Sequence, residues 1–232
     1  MTEPFFGELY LRSTRPFLSA DTTAAEAKFL QAQLPGQRLL DLGCGHGRHL
    51  AHVRGFGVDR DPLSLVEAVR HAPVSRADLR RLPFRAGAFD GVWCWYNSIG
   101  TFEDDQLPLI LAETARCTRP GGRLVIQGTN ISRSRAQPLA SYDGPIGQGD
   151  HLREWAEFDF VKKRDQIHRE LTCDDGRVME ADFFIRYYEV DEWRRLLDAA
   201  GYQLAWSMGG LDGAPVDDSS MDVIIGAERR GA

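Results

Sequence analysis

No run in the 232 residues approaches the roughly 20 consecutive apolar side chains that a membrane-spanning helix needs. The opening MTEPFFGELYLRSTRPF also lacks the basic start and apolar block that export requires, so the expected protein is soluble and cytoplasmic, with no membrane partner. Cysteine is scarce: Cys44, Cys94, Cys117 and Cys173 show no paired spacing, which argues against a disulfide framework and fits a reducing compartment. Positive charge is short as well. A formal net charge of -6 and a pI near 5.5 give no long-range attraction to a phosphate backbone, so nucleic acid is disfavoured as a partner. No internal repeat is present, and no disordered tail beyond RRGA.

What is present suits one α/β domain over 1–232: 43% hydrophobic residues in a chain of this length bury one substantial core. The first helix is expected in DTTAAEAKFLQAQL, with Thr23 and Glu26 at capping-box spacing and a stop at Pro35-Gly36. With the aromatic and basic segment before it, it forms an N-terminal lid and helix over 1–35. RLLDL, FGVD, VSRAD and FDGVWCWY are short apolar runs expected as strands. Asp61 and Pro62 open a helix between the second and third. Leu107, Ile110, Leu111 and Thr114 fall at helical spacing, closed by Pro120-Gly121-Gly122 before the strand RLVIQG. Strand and helix alternating in this way imply a parallel sheet covered on both faces, a Rossmann-like doubly wound core over 38–130.

The pattern then changes. EWAEFDFVKK, QIHRELT and RVMEADFFIRYY alternate with period two, with CDDG as a hairpin turn, so a small antiparallel insertion is expected after the fifth strand, over 150–188. VDEWRRLLDAAGY returns to helix, and QLAWSM and DVIIGAE finish the fold over 190–228.

The chemistry centres on LLDLGCGHGRHL. Glycines at 43, 45 and 47 follow a strand and open a helix, so backbone turns tightly and a ligand approaches without meeting side chains. A dinucleotide site wants a third glycine where Arg48 stands, which counts against a nicotinamide-dependent reductase. Asp41, two residues before Gly43, would repel pyrophosphate but suits an ammonium group. The stretch Asp41-Leu-Gly43-Cys-Gly45-His-Gly47 resembles the first motif of the class I S-adenosylmethionine-dependent methyltransferases. The resemblance extends through GVDRDP, ADLRRLPF, FDGVWCWYNSIG and RCTRPGGRLVI, and the closing YYEVDEWRRLLDAAGY and GGLDGAP look like those of bacterial small-molecule members.

The resemblance implies a seven-stranded, mostly parallel sheet with one antiparallel strand, and S-adenosyl-L-methionine as cofactor. It implies Asp59, 18 residues after Asp41, on the ribose hydroxyls, and Asp78 and Leu79 on the adenine. The expected cofactor set is Asp41, Gly43, Cys44, Gly45, Asp59, Arg60, Asp78, Leu79 and Trp95. Only eleven residues separate Gly47 from Asp59, so the helix after the glycine turn is unusually short.

The expected reaction is in-line methyl transfer to a small molecule, which needs alignment and dryness more than reactive side chains. YNSIG departs from the Asn/Asp-Pro-Pro-aromatic pattern of enzymes that methylate base amines, and no Pro-Cys pair supplies a covalent nucleophile. Tyr10, Asn97 and Tyr187 are the expected acceptor-pocket residues, in the N-terminal segment, after the fourth strand and at the end of the insertion. His151, His168, Tyr10, Tyr187, Tyr188 and Asp212 are bases by type, none with a pattern that singles it out. His46, His49 and His52 recur every third residue, but that spacing turns the third ring away from the first, so no metal is expected. Arg76, Arg80, Arg81 and Arg85 read as a solvated loop interleaved with Asp78. Alternatives are a protein or RNA methyltransferase and a cofactor-binding module without turnover. A monomer or homodimer fits equally.

Overall fold

Residues 5–34 and 36–231 are described by the structure, a computed structural model. The chain enters through helices α1 (Glu8–Thr14) and α2 (Ala20–Gln33). It then runs through β1 (Leu39–Leu42), β2 (Phe56–Asp59), α3 (Pro62–Ala68), β3 (Val74–Arg76), β4 (Phe89–Cys94), α4 (Leu107–Cys117), β5 (Thr118–Thr129) and α5 (Ile131–Ala136). Four strands follow, β6 (Leu139–Gly147), β7 (Asp150–Asp159), β8 (Arg164–Thr172) and β9 (Val178–Arg186). Helix α6 (Val190–Ala199) and strands β10 (Tyr202–Met208) and β11 (Asp222–Arg229) close the fold.

Seven strands pair in the order β10-β11-β5-β4-β1-β2-β3. Strand β11 runs antiparallel to both neighbours while the other pairs are parallel, as the family resemblance implied. Alternate residues of each strand leave on opposite faces. Leu40, Leu42, Val92 and Leu124 pack with Leu107, Ile110, Leu111 and Leu197 of α4 and α6. Leu39, Trp93 and Val125 pack with Phe29, Leu30 and Leu65 of α2 and α3. Each such buried side chain is worth about 1.5–3 kcal/mol, so the double cover holds β1 and β4 rigidly and fixes the loops that leave them. Asp41 lies on the second of these faces, opposite Trp93 in the β1–β4 register.

Four expectations need correction. No helix follows the glycine turn: Ala51 N donates to Gly47 O at 3.1 Å and Val53 N to His49 O at 2.8 Å, a single turn that then runs into β2. The eight residues 48–55 are too few for a helix and the return to Phe56. The cap of α2 is Ser19, whose Oγ accepts from Thr22 N at 3.0 Å, while Thr23 Oγ1 donates back to Ser19 O and Glu26 is drawn to Arg48 and His49. The helix ends at Gln33, and Pro35 lies outside the described residues. Pro120-Gly121-Gly122 is absorbed into β5, where the β4–β5 pairing shifts register between Phe89 and Gly91.

The insertion is larger than expected. It forms a four-stranded antiparallel sheet, β6-β7-β8-β9, beginning at Leu139 instead of 150. Strand β6 escaped notice because it is an edge strand exposed at all but two positions, with glycines and a proline in place of an alternating pattern. The buried face of this sheet packs Leu152, Leu171 and Met179 around Leu9 of α1.

Candidate functional site

The chain leaves β1 for β2 and β3 on one side and re-enters at β4 on the other. Loops leaving the carboxyl ends of β1 and β4 therefore diverge, and a crevice opens between them. The glycine loop lines it. Gly43, Gly45 and Gly47 have φ of 70, 52 and 82°, a left-handed backbone that other L-residues resist. Gly43 N and Cys44 N both donate to Val58 O, at 2.8 and 2.9 Å, tying the loop to β2. A Cβ on Gly47 would stand 2.9 Å from Ala68 Cα, so this glycine is also required by packing against the end of α3.

One compartment of the crevice spans about 470 Å³ with its solvent-facing mouth counted, lined in part by Phe6, Asp59, Arg60, Asp78, Leu79 and Phe102. Asp59 faces it with a fixed carboxylate: Oδ2 accepts from Gly45 N at 2.8 Å and Oδ1 from Asp61 N at 2.9 Å. Burial pushes this carboxyl above its ordinary range despite those two amides. The Arg60 guanidinium lies 4.5 Å from the Phe6 ring centre, closing one side. Asp78 is at the rim, gripped by Arg80 through Nε at 2.9 Å and through Nη2, which holds its carboxyl below the usual range.

A second compartment of about 340 Å³ continues past Gly43 and Ser98, which line both. A Cβ on Gly43 would meet Ser98 at 3.0 Å and narrow the neck between them. The walls include Tyr10, Asp41, Gly45, Arg48, Trp95 and Tyr96. Asp41 is 2% exposed, and burial raises its carboxyl well above the ordinary range. Arg48 is anchored on α2: Nη1 donates to Glu26 and, at 3.2 Å, to Thr23 Oγ1. Its Nη2 and the Trp95 Nε1 are buried without a partner among the described residues. His49 Nε2 meets Glu26 at 2.9 Å, and burial lowers this imidazole, leaving it neutral. His46 also lines the compartment, lowered to about 4 chiefly by burial, while His52 is on the surface. His46 and His49 thus share this compartment, and His52 stands apart from it. Burial pushes the Cys44 thiol up, so it stays protonated.

Nine expected cofactor residues therefore lie on these two compartments. Of the expected acceptor residues, Tyr10 joins them, but Asn97 and Tyr187 do not: both line a separate small cavity behind β4 and β5. Tyr96 and Asn97 are consecutive left-handed residues, φ 60 and 59°, at the end of β4. Asn97 is spent holding that strained turn, its Oδ1 accepting from Thr129 N at 2.8 Å and its Nδ2 donating to Thr129 Oγ1 at 2.9 Å. Tyr187 donates to Asp165 at 2.7 Å and packs with Ile131 and Phe158. His151 and His168 pair with Asp143 and Asp182 on the insertion, Tyr188 donates to Asp104 at 3.4 Å, and Asp212 accepts from Ala214 N. Phe6, Ser98, Phe102 and Glu26 went unread as site residues; no spacing in the sequence marks them, because they reach the crevice from three separate segments.

Over residues 39–122 the chain matches the protein family described as "Methyltransferase domain". It is 35% identical over 111 residues to the tRNA U34 carboxymethyltransferase of Methylococcus capsulatus, a match covering 41% of this chain and 33% of that protein. To the malonyl-[acyl-carrier protein] O-methyltransferase of Erwinia pyrifoliae it is 28% identical over 146 residues, 59% of this chain and 54% of that one. The chain thus spans about a third to a half of these curated relatives. Among solved structures, the CcbJ methyltransferase from Streptomyces caelestis shares the fold with a TM-score of 0.76, 18% identity and 90% of both chains covered.

Proposed function

We infer that this chain is a class I S-adenosylmethionine-dependent methyltransferase and that it moves a methyl group from S-adenosylmethionine to a small-molecule acceptor by in-line displacement. The observation that carries this reading is the Asp59 carboxylate, held by two backbone amides on the wall of the larger compartment. A carboxylate so fixed accepts from both hydroxyls of a ribose. The smaller compartment fits the other end of the same cofactor. A Cβ on Gly45 would meet nothing within 4 Å, so bare backbone borders open space there.

When bound, S-adenosylmethionine supplies an electrophilic methyl group and a neutral thioether leaving group. The protein's part is to hold, orient and keep dry. Asp59 fixes the sugar, while Leu79, Phe102 and the Phe6–Arg60 pair sandwich the base, with Asp78 and its partner Arg80 at the rim. Gly43, Cys44 and Gly45 supply the bare backbone at the neck, and Asp41 takes the ammonium. Trp95 and Tyr96 line the same compartment and would border the sulfonium, an attraction of about 0.5–2 kcal/mol. The acceptor enters beside Tyr10 and Tyr96, beneath α1 and the insertion sheet.

The net charge of -6 favours a small acceptor over a folded RNA. The curated relatives are named for a tRNA and for a carrier-bound malonyl group, so both classes belong in the test. Calorimetry with S-adenosylmethionine and S-adenosylhomocysteine is expected to give saturable binding. Asp59→Ala should lose at least about 100-fold in affinity, since it removes two charge-assisted hydrogen bonds of about 1.5–3 kcal/mol each. Unchanged affinity would refute the placement of the nucleoside. Labelled methyl donor offered with metabolite pools and with bulk tRNA then identifies the acceptor class, and binding without label transfer to either would favour a module without turnover.

A further inference from the structure

We infer that Gln127 is a positioning residue for methyl transfer: its side-chain amide holds Tyr96 in a left-handed backbone, and the tyrosine so displayed orients the acceptor. The inference rests on the methyl-transfer reading above and adds a residue far from the glycine motif. Strand β4 stops at Cys94, paired with Ile126, while β5 runs on to Thr129. Side chains of β5 therefore hold the chain as it leaves β4. Tyr96 N donates to Gln127 Oε1 at 2.7 Å, and Gln127 Nε2 donates to Asp222 Oδ1 of β11 at 2.8 Å. Gln127 is 8% exposed, and both ends of its amide are used. Thr129 fixes the next residue, Asn97, through two further hydrogen bonds.

Tyr96 is the costly member of this turn. Asparagine visits the left-handed region readily, whereas a bulky side chain there disfavours the conformation by about five- to thirtyfold. A fold that needed only the turn would carry glycine at 96. Packing does not offset the cost: the ring joins none of the apolar clusters and is 40% exposed. Its hydroxyl has no hydrogen-bond partner among the described residues. What the ring does have is a place on the wall of the smaller compartment, which Tyr10 also lines, with the Arg48 guanidinium 5.7 Å from its centre. Strain held by several surrounding contacts is concentrated at ligand sites. Burial raises the Tyr96 phenol, so it stays protonated and offers a neutral hydroxyl.

Denaturant unfolding compares Tyr96→Gly with Tyr96→Ala: glycine should fold with an equilibrium constant about fivefold larger, the reverse of the usual order. Calorimetry with S-adenosylhomocysteine, which carries no sulfonium, should place both variants within about threefold of the natural chain. Label transfer from S-adenosylmethionine to a metabolite pool should nevertheless fall by about tenfold or more in both, and equally in Gln127→Met, which has no amide to hold Tyr96 N. Gln127→Glu/Asp222→Asn exchanges the two end groups and keeps the chain of hydrogen bonds, so transfer should return to within about threefold of the natural rate. If Gln127→Met disturbs the fold in thermal unfolding, Gln127→Glu alone, which sets two carboxylates together, takes its place against the exchanged pair. Lost transfer with cofactor affinity kept, and recovery in the exchanged pair, support the assignment. Full transfer by Tyr96→Gly or Gln127→Met, a parallel loss of S-adenosylhomocysteine affinity, no recovery in the exchanged pair, or alanine more stable than glycine at 96 overturns it and leaves the methyl-transfer reading standing. A natural chain that binds S-adenosylhomocysteine but labels neither the metabolite pool nor bulk tRNA overturns both.

Discussion

Asp41→Asn separates stability from binding at one position. The Asp41 carboxylate is buried with no side-chain hydrogen bond among the described residues, and burial has pushed its proton affinity up. A carboxyl with a raised folded pKa contributes stability that is fully present below its unfolded pKa and lost as pH rises through the folded one. The asparagine variant has no such loss. An unsatisfied buried polar group costs about 1–3 kcal/mol and a charge more, so asparagine removes only the excess, reduced by the field of Arg48, which favours the charged form. The net is on the order of 1–2 kcal/mol, or about 2–8 °C in Tm for a chain this long. Unliganded Asp41→Asn should therefore melt higher than the natural chain at pH 8, with the gap closing toward pH 4, while affinity for S-adenosylhomocysteine falls by about tenfold or more. Denaturant unfolding at both pH values and calorimetry at pH 8 read the three effects. Equal stability at pH 8, a gap independent of pH, or undiminished affinity would each refute the claim that this acid is kept strained for a cationic group.

Gly47→Ala should lower stability by about 2–4 kcal/mol, because its φ of 82° suits only glycine and a Cβ would stand 2.9 Å from Ala68 Cα. Gly45→Ala, with nothing within 4 Å of its Cβ, should cost only about 1 kcal/mol but lose cofactor affinity, and a reversed order in thermal melts would contradict the packing account. Arg12→Ala strands Asp150, which is 2% exposed and held below the ordinary carboxylate range by that guanidinium. A loss of about 3 kcal/mol is expected at neutral pH. It should shrink as pH falls through the lowered carboxyl's range, where the natural chain loses this contribution too, and Arg12→Leu/Asp150→Asn should recover most of it.

Most of the core was legible because its signals are local. Strand β4 is buried throughout and reads as an apolar run, Asp61 caps α3 through its own side chain, and Asp59 is the last residue of β2. What stayed illegible depends on contacts distant in sequence. Glu26 looks like a capping residue by spacing, yet Arg48 and His49, 22 and 23 residues on, draw it into the floor of the site. Asn97 has the chemistry of an acceptor ligand and the right position after β4, but Thr129 consumes both ends of its amide to hold a left-handed turn. Tyr187 is lost to Asp165 in the same way. Spacing identifies a polar side chain without revealing whether the fold has already used it.

The N-terminal helix illustrates a wider consequence. By sequence it adjoins α2 and the cofactor core, but energetically it belongs to the insertion that begins more than a hundred residues later. Leu9 sits in the apolar core of the insertion sheet, Arg12 forks onto Asp150 at 2.8 and 2.6 Å, and Arg169 donates to Ser13 and Thr14. Those are buried or half-buried contacts. The segment's ion pair to the core, Arg15 with Glu67, is exposed, and pairs of that kind contribute about 0–1 kcal/mol. Tyr10 and Phe6 thus reach the crevice as parts of the insertion body: Phe5 stacks on Phe183 of β9 at 3.7 Å and Tyr10 packs edge-on against Phe5. The two walls of the crevice consequently answer to different parts of the sequence. The glycine loop, β2 and β4 govern the side that holds Asp41 and Asp59, while the opposite wall is set by packing between α1 and β7–β9. Changes in the insertion core, such as at Leu171 or Met179, therefore bear on the acceptor side without touching any residue of the glycine motif.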